Sequence, residues 1–238
     1  MAYTYTSWVT QLANLLVVAS TDVGFQTMLP GCIDDVEQRC YRELDLLNTV
    51  VRDSSTSFVA GARDFNLPAA NGTFYVVDSI YAITPAGQTT ANAGTRNELV
   101  PASRPFINSL FPSSTGSSVP GYFAMQTQTS IIVGPWPDQN YQMEVVGTIR
   151  PPVLSSTNLT TLLTVYFPDL WMAGTMIFGA AYQLNFGTVV DNPQQGVTWS
   201  SHFDTLLKSA EVEEARKKFT SQGWSSKQPA QLATPPRT

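Results

Sequence analysis

Apolar residues along this chain change period twice, and these changes together with a polar end divide it into four parts. From the start to about Val51 they recur every three or four positions, the spacing of helices with one buried side. A first helix is predicted over Trp8, Leu12, Leu15, Leu16 and Ala19, with Ser7 as its N-cap. A second is expected to open at Pro30, whose missing N–H has no partner in a first turn anyway. Ile33, Val36, Cys40, Leu44 and Leu47 form its inner stripe. Asp34, Asp35 and Glu37 then fall near the positive end of its dipole.

Around Arg52 the period changes. From Phe58 to Arg150 the chain is rich in Val, Ile, Tyr, Phe and Thr, broken by clusters of Gly, Pro, Asn and Ser. Strands are predicted over Arg63–Leu67, Phe74–Thr84, Tyr122–Gln126, Ser130–Val133 and Tyr141–Arg150. Tyr75, Val77, Ser79 and Tyr81 alternate with Val76, Asp78, Ile80 and Ala82, as a strand with two unlike faces requires. Pro85–Gly94 and Pro112–Gly121 have the composition of flexible loops.

After Pro151 and Pro152 the helical period returns. Pro168 and Asp169 start a segment, Leu170 to Phe186, that is apolar on every side, so it must be buried on several. A last helix is predicted from about Thr198 to Thr220, with Trp199, Phe203, Leu206, Leu207 and Ala210 facing inward. The end, 221–238, is rich in Ser, Gln and Pro without an acid, and is expected to be disordered in the isolated chain. The fold class that follows is α+β: a helical bundle domain from both chain ends (1–51 and 152–220). Into it is inserted an antiparallel β-sandwich or barrel domain (52–151), and a flexible tail (221–238) follows.

Composition sharpens the picture. Charged residues make up 13% of the chain, about half the usual share. Low charge with many aromatic and hydroxyl side chains suits a subunit that covers much of its surface with neighbours. The net charge of −5 argues against a clamp that grips nucleic acid through its phosphates, but not against a passage that DNA slides through. The apolar stretch Leu12–Ala19 has no basic residue before it, and Leu170–Leu184 is shorter than a bilayer requires. The expectation is a soluble product of the cytoplasm. Cys32 and Cys40, eight positions apart on one helix, lie about 12 Å apart and are expected to stay reduced.

Candidate chemistry is sparse. His202 is the sole histidine, with Asp204 nearby, but no strained nucleophile turn accompanies it, and it falls in the first turn of a predicted helix. Neither cysteine has partners that would complete a zinc site, and no phosphate-binding glycine loop follows a strand. The chain reads as a non-enzyme without cofactor or metal. The enzyme class kept open is glycan cleavage by a carboxylate pair, and a glycan-binding module would use Trp136, Tyr122 and Tyr141.

The stretch from Gly121 to about Leu184 carries a resemblance. An aromatic strand is followed by a hydrophobic one ending in Pro135-Trp136-Pro137, then a strand from Tyr141 to Ile149. A Pro151-Pro152 linker and a Ser/Thr/Asn segment then lead into a Tyr166-Phe167-Pro168-Asp169 helix start. Ala62–Ala69 adds a strand and a Leu67-Pro68 turn. In this order the pieces resemble head-to-tail adaptors of tailed bacteriophages, also called tail accessory or head-completion proteins.

The resemblance implies a ring of subunits, commonly twelve, docked beneath the portal at the head–tail junction of the virion. The genome passes through its channel without specific binding, and tail nozzle or tail-fibre proteins attach to it. It implies a portal-binding tail, here Trp224, Lys227, Leu232 and Arg237, and a subunit interface for which Trp171, Phe178, Trp199, Phe203 and Leu207 are candidates. Another tail component, such as a gatekeeper, tail-tube or fibre-attachment protein, is the alternative. The segment between Pro85 and Gly121 matches no element of the family pattern.

Overall fold

A computed structural model describes residues 2–88, 90–186 and 195–221 of the 238-residue chain. Among them are six α-helices and eight strands.

Helix α1 spans Tyr5–Leu15 and is capped by Thr4, not by Ser7. Ser7 stands at the third helical position and completes a capping box. Its N–H donates to Thr4 Oγ1 at 3.3 Å, and its Oγ accepts from the Thr4 N–H at 2.9 Å. The earlier start turns Trp8, Val9, Leu12 and Ala13 inward and leaves Leu15 and Ala19 exposed, correcting the predicted stripe.

Helix α2 spans Val23–Glu43, with Asp22 as its N-cap, accepting from the Phe25 N–H at 2.8 Å. Pro30 therefore lies inside a helix rather than opening one. The prediction weighed the local cost of proline and missed that Phe25 and Leu29, one turn apart, continue the buried row of Cys32, Ile33, Val36 and Cys40. The Pro30 ring sits on the exposed side. Asp34 and Asp35 are exposed mid-helix, and Glu37 is buried.

Helices α4 (Leu162–Tyr166), α5 (Pro168–Phe186) and α6 (Gln195–Ser221) follow the β region. As expected of its all-round apolar sequence, α5 is covered on several sides, with Leu170, Trp171, Met172, Ala173 and Met176 buried. A Cβ on Gly174 would lie 2.8 Å from Val36 Cγ1 and 2.9 Å from Phe203 Cε2, so only glycine lets α5 fit between α2 and α6 here. The Trp8 indole N–H donates to Thr175 Oγ1 (3.3 Å) and the Cys32 thiol donates to the Thr175 carbonyl (3.6 Å), tying α1 and α2 to α5. One hydrophobic core thus draws on residues 8–46 and 154–210.

The β region holds β1 (Val50–Phe58), β2 (Asp64–Asn66), β3 (Thr73–Thr84), β4 (Thr95–Glu98), β5 (Val100–Pro101), β6 (Tyr122–Met125), β7 (Ser130–Gly134) and β8 (Tyr141–Arg150). Helix α3 (Arg104–Leu110) falls between β5 and β6. One sheet runs β1-β8-β3-β4, all antiparallel. The other runs β2-β7-β6-β5, with β5 parallel to β6. A second core collects Phe58, Phe74, Met143 and Val145 from the first sheet and Phe65, Phe123, Ile131 and Val133 from the second.

The predicted strands all occur, but β1 was hidden by its polar run Arg52–Ser57. Between the two stretches read as loops, Pro85–Gly94 and Pro112–Gly121, lie β4, β5 and α3, for which no element was predicted. The alternation in β3 is broken by irregularities between Phe74 and Val76 and between Val77 and Ser79, which leave Tyr75 and Val76 both exposed.

Candidate interaction surfaces

Strand alternation gives each sheet an inner and an outer face. On β6 and β7, Phe123, Ile131 and Val133 enter the core between the sheets, while Ala124 and Ile132 turn the other way and meet Ile107 of α3. Helix α3 is capped by Ser103 and held down by that one buried residue. Its remaining apolar side chains, Phe106 and Leu110, stay exposed.

Around them an aromatic face assembles. The Tyr122 ring lies 5.7 Å from Phe106 and 6.1 Å from Phe111. The Trp136 indole N–H donates to the Phe111 carbonyl at 3.3 Å, and the Arg63 guanidinium stands 5.8 Å from the Trp136 ring. Val100, paired with Tyr122, extends the face and is exposed. Between Leu99 and Pro137 the one charged residue is Arg104, and its guanidinium donates to the carbonyls of Met125 and Gln126. A surface rich in Phe, Tyr and Trp with a guanidinium group at its edge has the composition of a protein interface centre. Of the three aromatics named for glycan binding, Tyr122 and Trp136 belong to this face. Tyr141 lies in the core between the sheets.

The other sheet carries a cleft. Val50 and Val76 flank Thr148 in register across β1, β8 and β3, on the side away from the core. There the end of α2 overhangs the sheet and encloses about 230 Å³ between Tyr41, Arg42, Leu46, Tyr75, Val76 and Arg150. Arg150 stacks near the exposed Tyr75 ring at 5.9 Å. Higher on this outer face, the buried Glu144 accepts two hydrogen bonds from Arg96, at 2.8 and 3.1 Å, and lies 3.6 Å from Arg52. That arrangement bridges the sheet from β1 to β4.

Behind the cleft, Glu37 Oε1 accepts the Leu154 N–H at 3.0 Å. Burial dominates over that bond and pushes its carboxyl up to about 7, with Asp34 raising it further and Arg150 opposing. Burial and Glu37 together push the Tyr41 phenol up, and its hydroxyl has no hydrogen-bond partner among the described residues. Cys32 and Cys40 are free, buried thiols, pushed up to about 12 by desolvation, and so are poor nucleophiles.

The residues singled out from the sequence scatter. Trp171 and Phe203 lie in the core, with the Arg39 guanidinium 4.5 Å above the Phe203 ring. Phe178, Trp199 and Leu207 are partly buried against the same core. His202 is exposed, in the third rather than the first turn of α6, beside Trp199 at 6.0 Å between ring centres. Trp224, Lys227, Leu232 and Arg237 lie outside the described residues. The aromatic face went unpredicted, although the run from Leu99 to Pro137, with Arg104 as its single charge, was its visible signal.

Among the described residues no group of three or more His, Cys, Asp and Glu is placed to hold a metal ion, and no helix is long and apolar enough to cross a membrane. A family model described as SU10 adaptor protein matches residues 3–226. No curated protein matches the chain.

Proposed function

The chain belongs to the SU10 adaptor protein family, a family of phage adaptors, and on that premise we propose that it is the head-to-tail adaptor of a tailed-phage virion. Its copies form a ring beneath the portal, line part of the DNA channel and give the tail its platform. The observation that carries this reading is the extent of the family match, which takes in both helical parts and the β region.

We read residues 1–51 and 152–220 as one helical bundle domain, supported by the core they share, and 52–151 as a β-sandwich inserted into it. Ring packing is assigned to the α5–α6 side, where Phe178, Trp199 and Leu207 are incompletely covered. Trp171 and Phe203 shape that side from within. The tail residues Trp224, Lys227, Leu232 and Arg237 are assigned to the portal. A net charge of −5 suits a channel that must pass DNA without holding it.

The test is the solution mass of the full chain, and of a chain ending at Ser221, each alone and mixed with portal rings. The expected result is recruitment to the portal by the full chain and its loss on truncation. A full chain indifferent to the portal refutes the adaptor reading.

A further inference from the structure

We propose that neighbouring copies of this chain also join head to tail through their β regions. The aromatic face around α3 of one copy seats in the cleft formed by β1, β8, β3 and the end of α2 on the next. The inference rests on the ring reading above and adds to it a defined pair of surfaces.

Geometry is the first support. The core between the sheets separates the two surfaces: Phe123, Ile131 and Val133 point into it from one side, Met143, Val145 and Ile149 from the other. The aromatic face and the cleft therefore lie on opposite outer faces of the same β region. A two-fold dimer uses one patch twice, whereas a ring of many copies needs two different patches on nearly opposite sides of each subunit.

The second support is what the chain leaves uncovered. On one side Phe106 is 44% and Leu110 51% exposed, on a short helix standing proud of its sheet. On the other side Val76 is 45% and Tyr75 64% exposed, at the mouth of a cleft of about 230 Å³. A projecting apolar helix suits a cleft whose mouth carries Tyr75 and Val76 and whose wall carries Arg42 and Arg150.

Charge is the third. The charges beside the aromatic face are few: the Arg104 guanidinium donates to two carbonyls of its own chain, and Arg63 donates to Asn108 beside the Trp136 ring. In the cleft, Glu43 is paired with Arg39 and Asp45 with Lys218, while Arg42 and Arg150 have no ion pair among the described residues. Cations without a paired anion are matched by rings such as Phe106 and Tyr122, which attract guanidinium groups without requiring an ion pair. This favours an aromatic face such as a second copy presents over a basic partner, and an acidic partner is the alternative that the test below distinguishes.

The test uses full-length chains carrying Phe106→Glu with Leu110→Glu, or Val76→Glu, in light scattering over a concentration series and on portal rings. All three positions are exposed, so folding is expected to survive. Each variant is expected to weaken association between copies at least tenfold. Mixing the two variants leaves one intact pair of surfaces and is expected to restore this contact between unlike variants only, in pairs. A second readout is a chain with Leu110→Cys and Val76→Cys, the native cysteines being buried. Oxidation should give a ladder of dimers, trimers and higher species. Portal-bound copies that yield no ladder overturn this contact and leave the adaptor reading standing. A ladder from a chain that never joins the portal keeps the contact and removes the adaptor reading. Absence of the ladder both in solution and on the portal overturns the proposal.

Discussion

Replacing Val17 with glycine is expected to leave the protein more stable than replacing it with alanine, although glycine removes more side chain. Val17 follows the last turn of α1 with φ 55°, the left-handed conformation in which a Cβ crowds the following carbonyl. Two hydrogen bonds hold it there, from the Val18 N–H to the Ala13 carbonyl at 3.0 Å and from the Val17 N–H to the Asn14 carbonyl at 3.3 Å. This is the helix-ending arrangement that glycine normally occupies. An L-residue in this conformation costs about 1–2 kcal/mol. Val17 is 88% exposed, so truncation forfeits only a few tenths of the ~1.5–3 kcal/mol that full burial would bring. The greater freedom of glycine in the unfolded chain costs about 0.4–1 kcal/mol. The balance favours glycine over alanine by about 0.5–1 kcal/mol, or roughly 1–4 °C in Tm for a chain of this size. Asparagine, which tolerates the same conformation without that entropy cost, is expected to match or exceed glycine. Thermal melts of the three variants by circular dichroism test the ranking. An alanine variant as stable as the glycine variant refutes it, because the strain would then be absent.

Two glycines in helices are expected to respond with opposite signs. Gly174→Ala drives a methyl against Val36 and Phe203, an overpacking cost of about 1–3 kcal/mol that outweighs the gain in helix propensity. Gly31→Ala adds a methyl with nothing within 4 Å and stabilises by about 1 kcal/mol; paired urea titrations separate the two. Pro30→Ala restores an N–H for the Gln26 carbonyl inside α2 and is expected to stabilise by about 1–2 kcal/mol, after the stiffness proline gives the unfolded chain is lost. Glu37 has its carboxyl raised from 4.5 to about 7 in the folded protein, so the native state holds the proton more tightly. Its protonated form stabilises the fold fully below about pH 4.5, and that contribution is lost as pH rises through 7. Glu37→Gln keeps the acceptor for the Leu154 N–H and is expected to equal the wild type near pH 4.5 and to exceed it by up to about 3 kcal/mol at pH 8. Denaturation midpoints at the two pH values decide this, and an equal difference at both refutes it.

The helices were legible in the sequence wherever burial and local preference agree. The Leu170–Phe186 segment could be read because an all-apolar helix has one physical solution, and the real α5 differs from it by two residues at the start. Pro30 misled because local preference and tertiary burial disagree there, and the core contacts of Phe25 and Leu29 prevail. The start of α1 shifted because Thr4 and Ser7 are equally good caps in isolation. Only their reciprocal bonding assigns the roles. Strand β1 escaped because its residues Arg52, Asp53 and Ser55 are strand-poor by type. Their places are fixed by pairing with β8 and by the carboxylates of Asp53 and Glu144, which serve as bonding centres.

The surfaces were harder to read than the fold, for a physical reason. A core residue announces itself by period, since it must recur at the spacing of its element. A contact face between subunits is made by residues whose period is already satisfied inside the chain, so it appears only as a surplus. Phe106 and Leu110 flank the buried Ile107 on a seven-residue helix, too short for any period to emerge. Tyr75 and Val76 owe their joint exposure to irregular pairing that no pattern of types announces. What the sequence does display is depletion: a run from Leu99 to Pro137 with a single charge, folded into the outer layer of a sheet. A solvated outer layer of that composition is poorly matched to water. Covering it with another subunit removes the mismatch, and this is why the aromatic face, rather than any titratable cluster, is the part of the molecule with most to gain from assembly.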